Sequence, residues 1–252
     1  MTEKLQEIIS THLQPSHSCG YSISVELDGK PLLKHLSGTV NFDDIAHQVD
    51  ADTAFDVGSL SKQFTACCIA ILACENRLSL DDSVRTYLPE MKAYADKITI
   101  RHLLFMVSGV RQIYCLKHMQ SNSALSEMEL FFRQDQPANH AGSFTGYSNT
   151  CYTLLGLIVE RITGGTPQFA KQRIFDPLGM KNTQGYGNMG ADGLTTTADD
   201  LALWHKCLID RFLPGAPANL FDLLFSPFTL TGGELCPYGF GFFYDDHNRD
   251  II

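Results

Sequence analysis

Phe55-Asp-Val-Gly-Ser59-Leu-Ser-Lys62-Gln-Phe-Thr65 runs from an extended lead through Gly58 into residues that stay small and apolar on most faces as far as Asn76. Apolar character all round predicts a helix buried centrally rather than laid on the surface. Residues three apart on a helix lie one turn apart on the same face, so Ser59 and Lys62 can touch. A serine hydroxyl becomes an effective nucleophile only when a base takes its proton. A neutral amine can do so. Bringing a lysine from its reference pKa of about 10.4 down by roughly three units costs about 4 kcal/mol, which burial and neighbouring dipoles can supply. The Ser59 N–H falls in the first helical turn, among donors with no intrahelical partner, where it can stabilise an oxyanion.

A second cluster is Gly146-Tyr147-Ser148-Asn149, followed by an apolar helix from Cys151 to Thr163. Ser148 or Asn149 can simply cap that helix, a common role for both residue types. Alternatively the Tyr147 phenol lies beside Ser59 and Lys62 and relays a proton, while the Asn149 amide holds a substrate carbonyl or the lysine. Toward the N-terminus, Leu5, Ile8 and Ile9 share one face of a short amphipathic helix. Tyr21, Ile23, Val25 and Leu27 alternate as in a half-buried strand, Asp28-Gly29 makes a turn, and Leu32 to Leu36 return as the partner. The middle of the chain reads as helices broken by Gly, Pro and Asn. Tyr238 to Tyr244 reads as one aromatic strand. The order hairpin, helices, strand predicts an α+β fold whose first and last parts share a sheet.

The 252 residues are 44% hydrophobic and 19% charged, which excludes a disordered chain. A net charge of −9 argues against nucleic acid or an anionic membrane as partner, since both select basic patches. No apolar run approaches the roughly 18 residues of a membrane span. The first residues lack the basic and apolar regions of a secretory signal, so a cytoplasmic location is expected. Its eight cysteines (Cys19, Cys67, Cys68, Cys74, Cys115, Cys151, Cys207 and Cys236) form no CxxC pair and are expected as reduced thiols. Nine histidines fall in no metal-ligand spacing, so no metal site is expected.

With both clusters in view, the chain resembles the serine β-lactamase and penicillin-binding protein superfamily, in its class C β-lactamase, D,D-peptidase and esterase branch. Ser59 to Lys62 matches the S-x-x-K signature. Leu103-Leu104 with Ser108-Gly109 is similar to "LLtHtSG", and Tyr147 to Gly164 to "YSN…LLG.iie..tG". Pro177 to Met180 with Thr183 resembles "PLGM..T", Gly193-Leu194 with Thr197, Asp200 and Leu201 resembles "GGL.sTa.DLa", and Tyr238 to Gly241 resembles "YGlG". The resemblance implies a β-lactamase/transpeptidase-like α+β domain spanning 1–252. Its sheet-containing part would be 1–66 with 214–252, and its mainly helical part 67–213. It also implies a hydrolase of amides or esters, with Ser59 acylated, Lys62 its base partner, Tyr147 protonating the leaving group and Asn149 contacting a small-molecule or peptide substrate.

The chain departs from the family pattern after Tyr244. Relatives carry a K-T-G or H-x-G strand there that supplies a second oxyanion donor and a carboxylate partner. Neither Leu230-Thr231-Gly232 nor Asp246-His247-Asn248 replaces it. The expectations are impaired turnover, incomplete C-terminal strands, and an exposed aromatic edge at Tyr238 to Tyr244 that favours a homodimer. A non-catalytic relative that keeps the fold, and a shortened form of a longer enzyme, stay open as alternatives. Met106 stands where relatives often have histidine, a change expected to affect packing.

Overall fold

The structure is a computed structural model, described here for residues 2–13, 20–27, 29–42, 45–113 and 126–244. The elements run α1 (Thr2–His12), β1 (Tyr21–Leu27), β2 (Lys30–Ser37), β3 (Thr39–Phe42), β4 (Ile45–Gln48), β5 (Phe55–Asp56), α2 (Ser61–Cys74) and α3 (Ile100–Leu104). There follow α4 (Glu127–Phe132), α5 (Asn149–Thr163), α6 (Thr166–Ala170), α7 (Asp176–Leu178), β6 (Gln184–Gly185) and β7 (Leu194–Thr196). The last are α8 (Ala198–Asp210), α9 (Leu220–Leu224), β8 (Tyr238–Gly239) and β9 (Phe242–Phe243). The chain is α+β and divides into two compact units, one of 1–56, 175–184 and 195–214, the other of 57–174, 185–194 and 215–252.

In the first unit β1 and β2 pair antiparallel, with Tyr21 opposite Ser37 and Val25 opposite Leu33. The register then slips so that Glu26 faces Pro31. Proline offers no N–H to the ladder, and the bulge absorbs Leu32 at that point. α1 packs on β2 and α8 on β1. Only Ile9 of α1 is buried, whereas Ile8 is 48% exposed, so the apolar face is narrower than the one expected for Leu5, Ile8 and Ile9. β5 pairs with β7 through Phe55 opposite Thr196. Behind it the buried Asp200 carboxylate accepts from the Asn182 N–H at 2.8 Å and the Thr183 hydroxyl at 2.7 Å.

The second unit is built round α2. Phe64 and every residue from Ala66 to Leu72 are fully buried, as expected for a helix apolar all round. α5, α6 and α9 pack against it, and α3 packs on α5. Ser148 caps α5 by accepting the Cys151 N–H at 3.2 Å, and Gly164 closes it in the left-handed region.

The aromatic segment near the end differs from expectation. Tyr238 to Tyr244 is a tight hairpin, with Tyr238 opposite Phe243 and Gly239 opposite Phe242. Phe240 and Gly241, at φ 49° and 88°, form its two-residue turn, the conformation that mirror-image hairpin turns demand. Among the described residues β8 and β9 form a two-stranded sheet of their own. Phe240 and Phe242 are 0% and 2% exposed, so most of the aromatic edge expected to recruit a second chain is consumed inside the unit. Asp246-His247-Asn248 lies outside the described residues, as do Cys19, Cys115 and Asp28. No helix among the described residues is long and apolar enough to cross a membrane.

Candidate active site

All the residues of the candidate site belong to the second unit. Ser59 lies exposed on a 3-10 turn, Gly58–Leu60, that runs directly into α2. The Val57 N–H donates to the Leu194 carbonyl and the Leu60 N–H to the Val57 carbonyl, both at 3.1 Å, which fixes the turn. One turn further Lys62 is only 1% exposed. Its Nζ lies 3.0 Å from Ser59 Oγ and donates to the Ala191 carbonyl at 2.6 Å. A buried amine without such partners would cost several kcal/mol. The ring faces of Tyr147 and Tyr152 also look onto it, with centroids 4.9 and 5.9 Å from Nζ.

Two supports aim these groups. The Thr65 hydroxyl, one turn along α2 and fully buried, bonds to the Met189 carbonyl and, at 3.1 Å, to that of Gly190. Asn188 accepts the Gly190 N–H at 3.0 Å and donates to the Thr153 carbonyl at 3.3 Å. Loop 188–191 is thereby tied to α2 and α5, and the Ala191 carbonyl reaches Lys62. On the other side, Met106 Sδ accepts the Ser148 N–H at 3.2 Å and its carbonyl accepts the Gly146 N–H at 3.3 Å. Gln112 donates to the Tyr147 carbonyl at 2.9 Å. Met106 therefore does more than fill space, because it holds the segment that carries Tyr147.

The Tyr147 hydroxyl is 2.5 Å from Ser59 Oγ. Ser59, Lys62 and Tyr147, distant in sequence, thus meet at one oxygen. Asn149 is the first residue of α5 and exposed, and its amide makes no hydrogen bond to another described residue. The cap expected of Ser148 or Asn149 falls to Ser148. Ala191 and Gln112 lie in no quoted motif, and although Thr65, Tyr152 and Tyr238 fall within motif matches, no site role was expected of them; all five enter through the tertiary fold. Burial pushes the Tyr152 and Tyr238 phenols well above the ordinary tyrosine value, so both stay neutral at physiological pH. Among the described residues no three His, Cys, Asp or Glu side chains gather to hold a metal. What the site presents is an exposed serine hydroxyl with an amine and a phenol both within hydrogen-bond reach.

The Beta-lactamase family model matches residues 5–250. The chain belongs to the beta-lactamase family. It is 30% identical over 190 residues to Protein flp of Staphylococcus aureus (strain MW2), a match covering 72% of this chain and 38% of that protein. The chain thus spans well under half the length of that relative. A class C beta-lactamase solved in complex with cefoxitin aligns at a TM-score of 0.74 and 21% identity, over 96% of this chain and 73% of the other. A D-stereospecific amidohydrolase from Streptomyces aligns at 0.72 and 19%, over 98% and 84%. The fold is the β-lactamase/transpeptidase-like α+β fold.

Proposed function

We propose that the protein is a serine hydrolase that cleaves an amide or ester through an acyl-enzyme on Ser59. The observation that carries this reading is Ser59 Oγ lying 3.0 Å from Lys62 Nζ and 2.5 Å from Tyr147 Oη. Ser59 loses its proton to this pair as Oγ bonds to the substrate carbonyl carbon. The tetrahedral intermediate collapses, the leaving group departs with a proton from Tyr147, and water then hydrolyses the ester on Ser59. Asn149, exposed at the start of α5, orients the substrate carbonyl. Similarity to proteins described as a class C beta-lactamase and a D-stereospecific amidohydrolase supports an amide or ester as the bond cleaved. Esters of small acids are the readiest probes.

The test is covalent labelling. Incubation with a fluorescent penicillin or p-nitrophenyl acetate should give one acyl adduct per chain, on the tryptic peptide holding Ser59, and none with Ser59→Ala. Equal labelling of both proteins would refute the assignment; a wild type that takes up no label would favour a non-catalytic relative. A polypeptide limited to these 252 residues has no K-T-G or H-x-G after Tyr244. Assayed by itself it should turn over below about 1 s⁻¹, since loss of one oxyanion donor costs roughly 10²- to 10³-fold. A reducing, cytoplasmic setting is part of the same proposal, supported by six reduced thiols among the described residues.

A further inference from the structure

We infer that Tyr152 is a positioning residue for Lys62, and that Tyr238 locks Tyr152 and Tyr147 into an aromatic enclosure around Nζ; the inference rests on the reading of Ser59 as the acylated nucleophile. A lysine stem has four rotatable carbons, so an amine that must serve one oxygen has to be confined. Two polar partners confine it here, Ser59 Oγ at 3.0 Å and the Ala191 carbonyl at 2.6 Å. Two ring faces, those of Tyr147 and Tyr152, also look onto Nζ. Tyr147 is 49% exposed and by itself a poor wall, whereas Tyr152 is fully buried.

Tyr152 is fixed at both ends. Its hydroxyl donates to the Leu104 carbonyl at 3.0 Å. Its ring meets Tyr238 edge to face, with centroids 6.2 Å apart and planes at 87°. Tyr238, 3% exposed, meets Tyr147 in the same way at 6.3 Å and 83°. One buried ring therefore keys both faces that look onto Nζ. Tyr152 lies one turn beyond Asn149 on α5, as Lys62, in the first turn of α2, lies three residues beyond Ser59 on the 3-10 turn that leads into it, and the two helices pack together. The Tyr152 phenol does not exchange the proton itself, being spent on Leu104 and held neutral by burial. Its contribution is a dry face whose quadrupole favours positive charge at Nζ.

The experiment compares the full chain with Ser59→Ala, Tyr152→Leu and Tyr152→Phe. Burst kinetics with p-nitrophenyl acetate give the acylation rate and KM, and melting gives stability. Tyr152→Leu removes the face and should slow acylation roughly tenfold with KM nearly unchanged, the span expected for losing a desolvated cation–π contact. Tyr152→Phe keeps the face and loses the Leu104 bond, so it should melt lower yet restore the rate to within about twofold. Rates that follow melting temperature through both variants would overturn the inference. If Tyr152→Leu does not fold, Tyr238→Leu and Tyr238→Phe should repeat the contrast. NMR of lysine-labelled protein supplies a readout free of turnover. The Lys62 ε-methylene resonances, shifted by the ring faces, should move toward their random-coil position in Tyr152→Leu, and unmoved resonances would also overturn it. A wild type no more acylated than Ser59→Ala refutes the hydrolase reading instead, while the resonances still decide whether Tyr152 places Lys62.

Discussion

Gly241 and Gly164 share a φ of 88°, so replacing each by alanine separates backbone strain from collision. A Cβ on Gly164 would meet nothing within 4 Å. A Cβ on Gly241 would lie 2.7 Å from both the Cα and N of Gln63 and 2.9 Å from the carbonyl carbon of Lys62, all backbone atoms that cannot rotate away. Holding an alanine in the left-handed region costs about 1–2 kcal/mol at either site. Overpacking adds about 1–3 kcal/mol at Gly241 alone. Gly164→Ala should therefore lose about 1–2 kcal/mol and Gly241→Ala about 2–5 kcal/mol, read from urea midpoints at a common m-value. The second consequence is kinetic. Gly241 presses on the turn of α2 that carries Lys62, and a shift of about 1 Å there can cost on the order of 10²-fold in acylation. Gly164 ends α5 about 22 Å from Asn149, by helical rise, and its substitution should leave the acylation rate alone. A Gly164→Ala protein as unstable as Gly241→Ala, or a Gly241→Ala protein acylated at the wild-type rate, would refute the argument that the hairpin turn braces the start of α2.

Tyr147→Phe removes the phenol 2.5 Å from Ser59 Oγ and should slow acylation by at least about 10²-fold in burst kinetics; a loss under roughly tenfold would exclude it from proton transfer. His102 Nδ1 accepts the Thr99 N–H at 3.1 Å in the cap of α3, and burial, aided by Arg101 and opposed by Asp81, holds its pKa below the ordinary 6.5. The unfolded chain therefore takes up that proton first, so this contribution to stability is complete above about pH 6.5 and is lost as pH falls through the lower folded value. Urea midpoints from pH 7 to 5 should fall less steeply in His102→Gln than in wild type, and equal slopes would remove His102 from the account. Burial pushes the Cys68 thiol up to about 12, whereas Cys74 is only half-buried and is raised by burial and then by Glu75. Iodoacetamide should modify Cys74 before Cys68 in the folded protein, with eight thiols titrating after unfolding; four or fewer would contradict a reducing setting.

What was legible in the sequence is what depends on a few neighbouring residues. Ser59 and Lys62 are three apart at a helix start, so their contact follows from helical pitch alone once α2 exists. The cap at Ser148 and the close of α5 at Gly164 follow equally from local hydrogen-bonding needs. Tyr238, Phe240 and Phe242 alternate as in a continuous strand, yet the segment folds as a hairpin from Tyr238 to Phe243. The overlooked signal was Phe240-Gly241, a pair with glycine at the second turn position, where positive φ is needed. The partners of Lys62 are of another kind. Its contact with the Ala191 carbonyl spans 129 residues of sequence, and no pattern in residues 186–194 points to it. That carbonyl arrives because Thr65 and Asn188 pin loop 188–191, and Tyr152 arrives because α5 packs on α2. Residues three apart come from two places, Ser59 on the 3-10 turn with Lys62 in the first turn of α2, and Asn149 with Tyr152 on α5. The pairing of the helices turns those two local repeats into one site. A substitution at the helix contact should therefore change the chemistry at Ser59 without touching any residue of the S-x-x-K motif, and this separates a site assembled by packing from one contained in its motif.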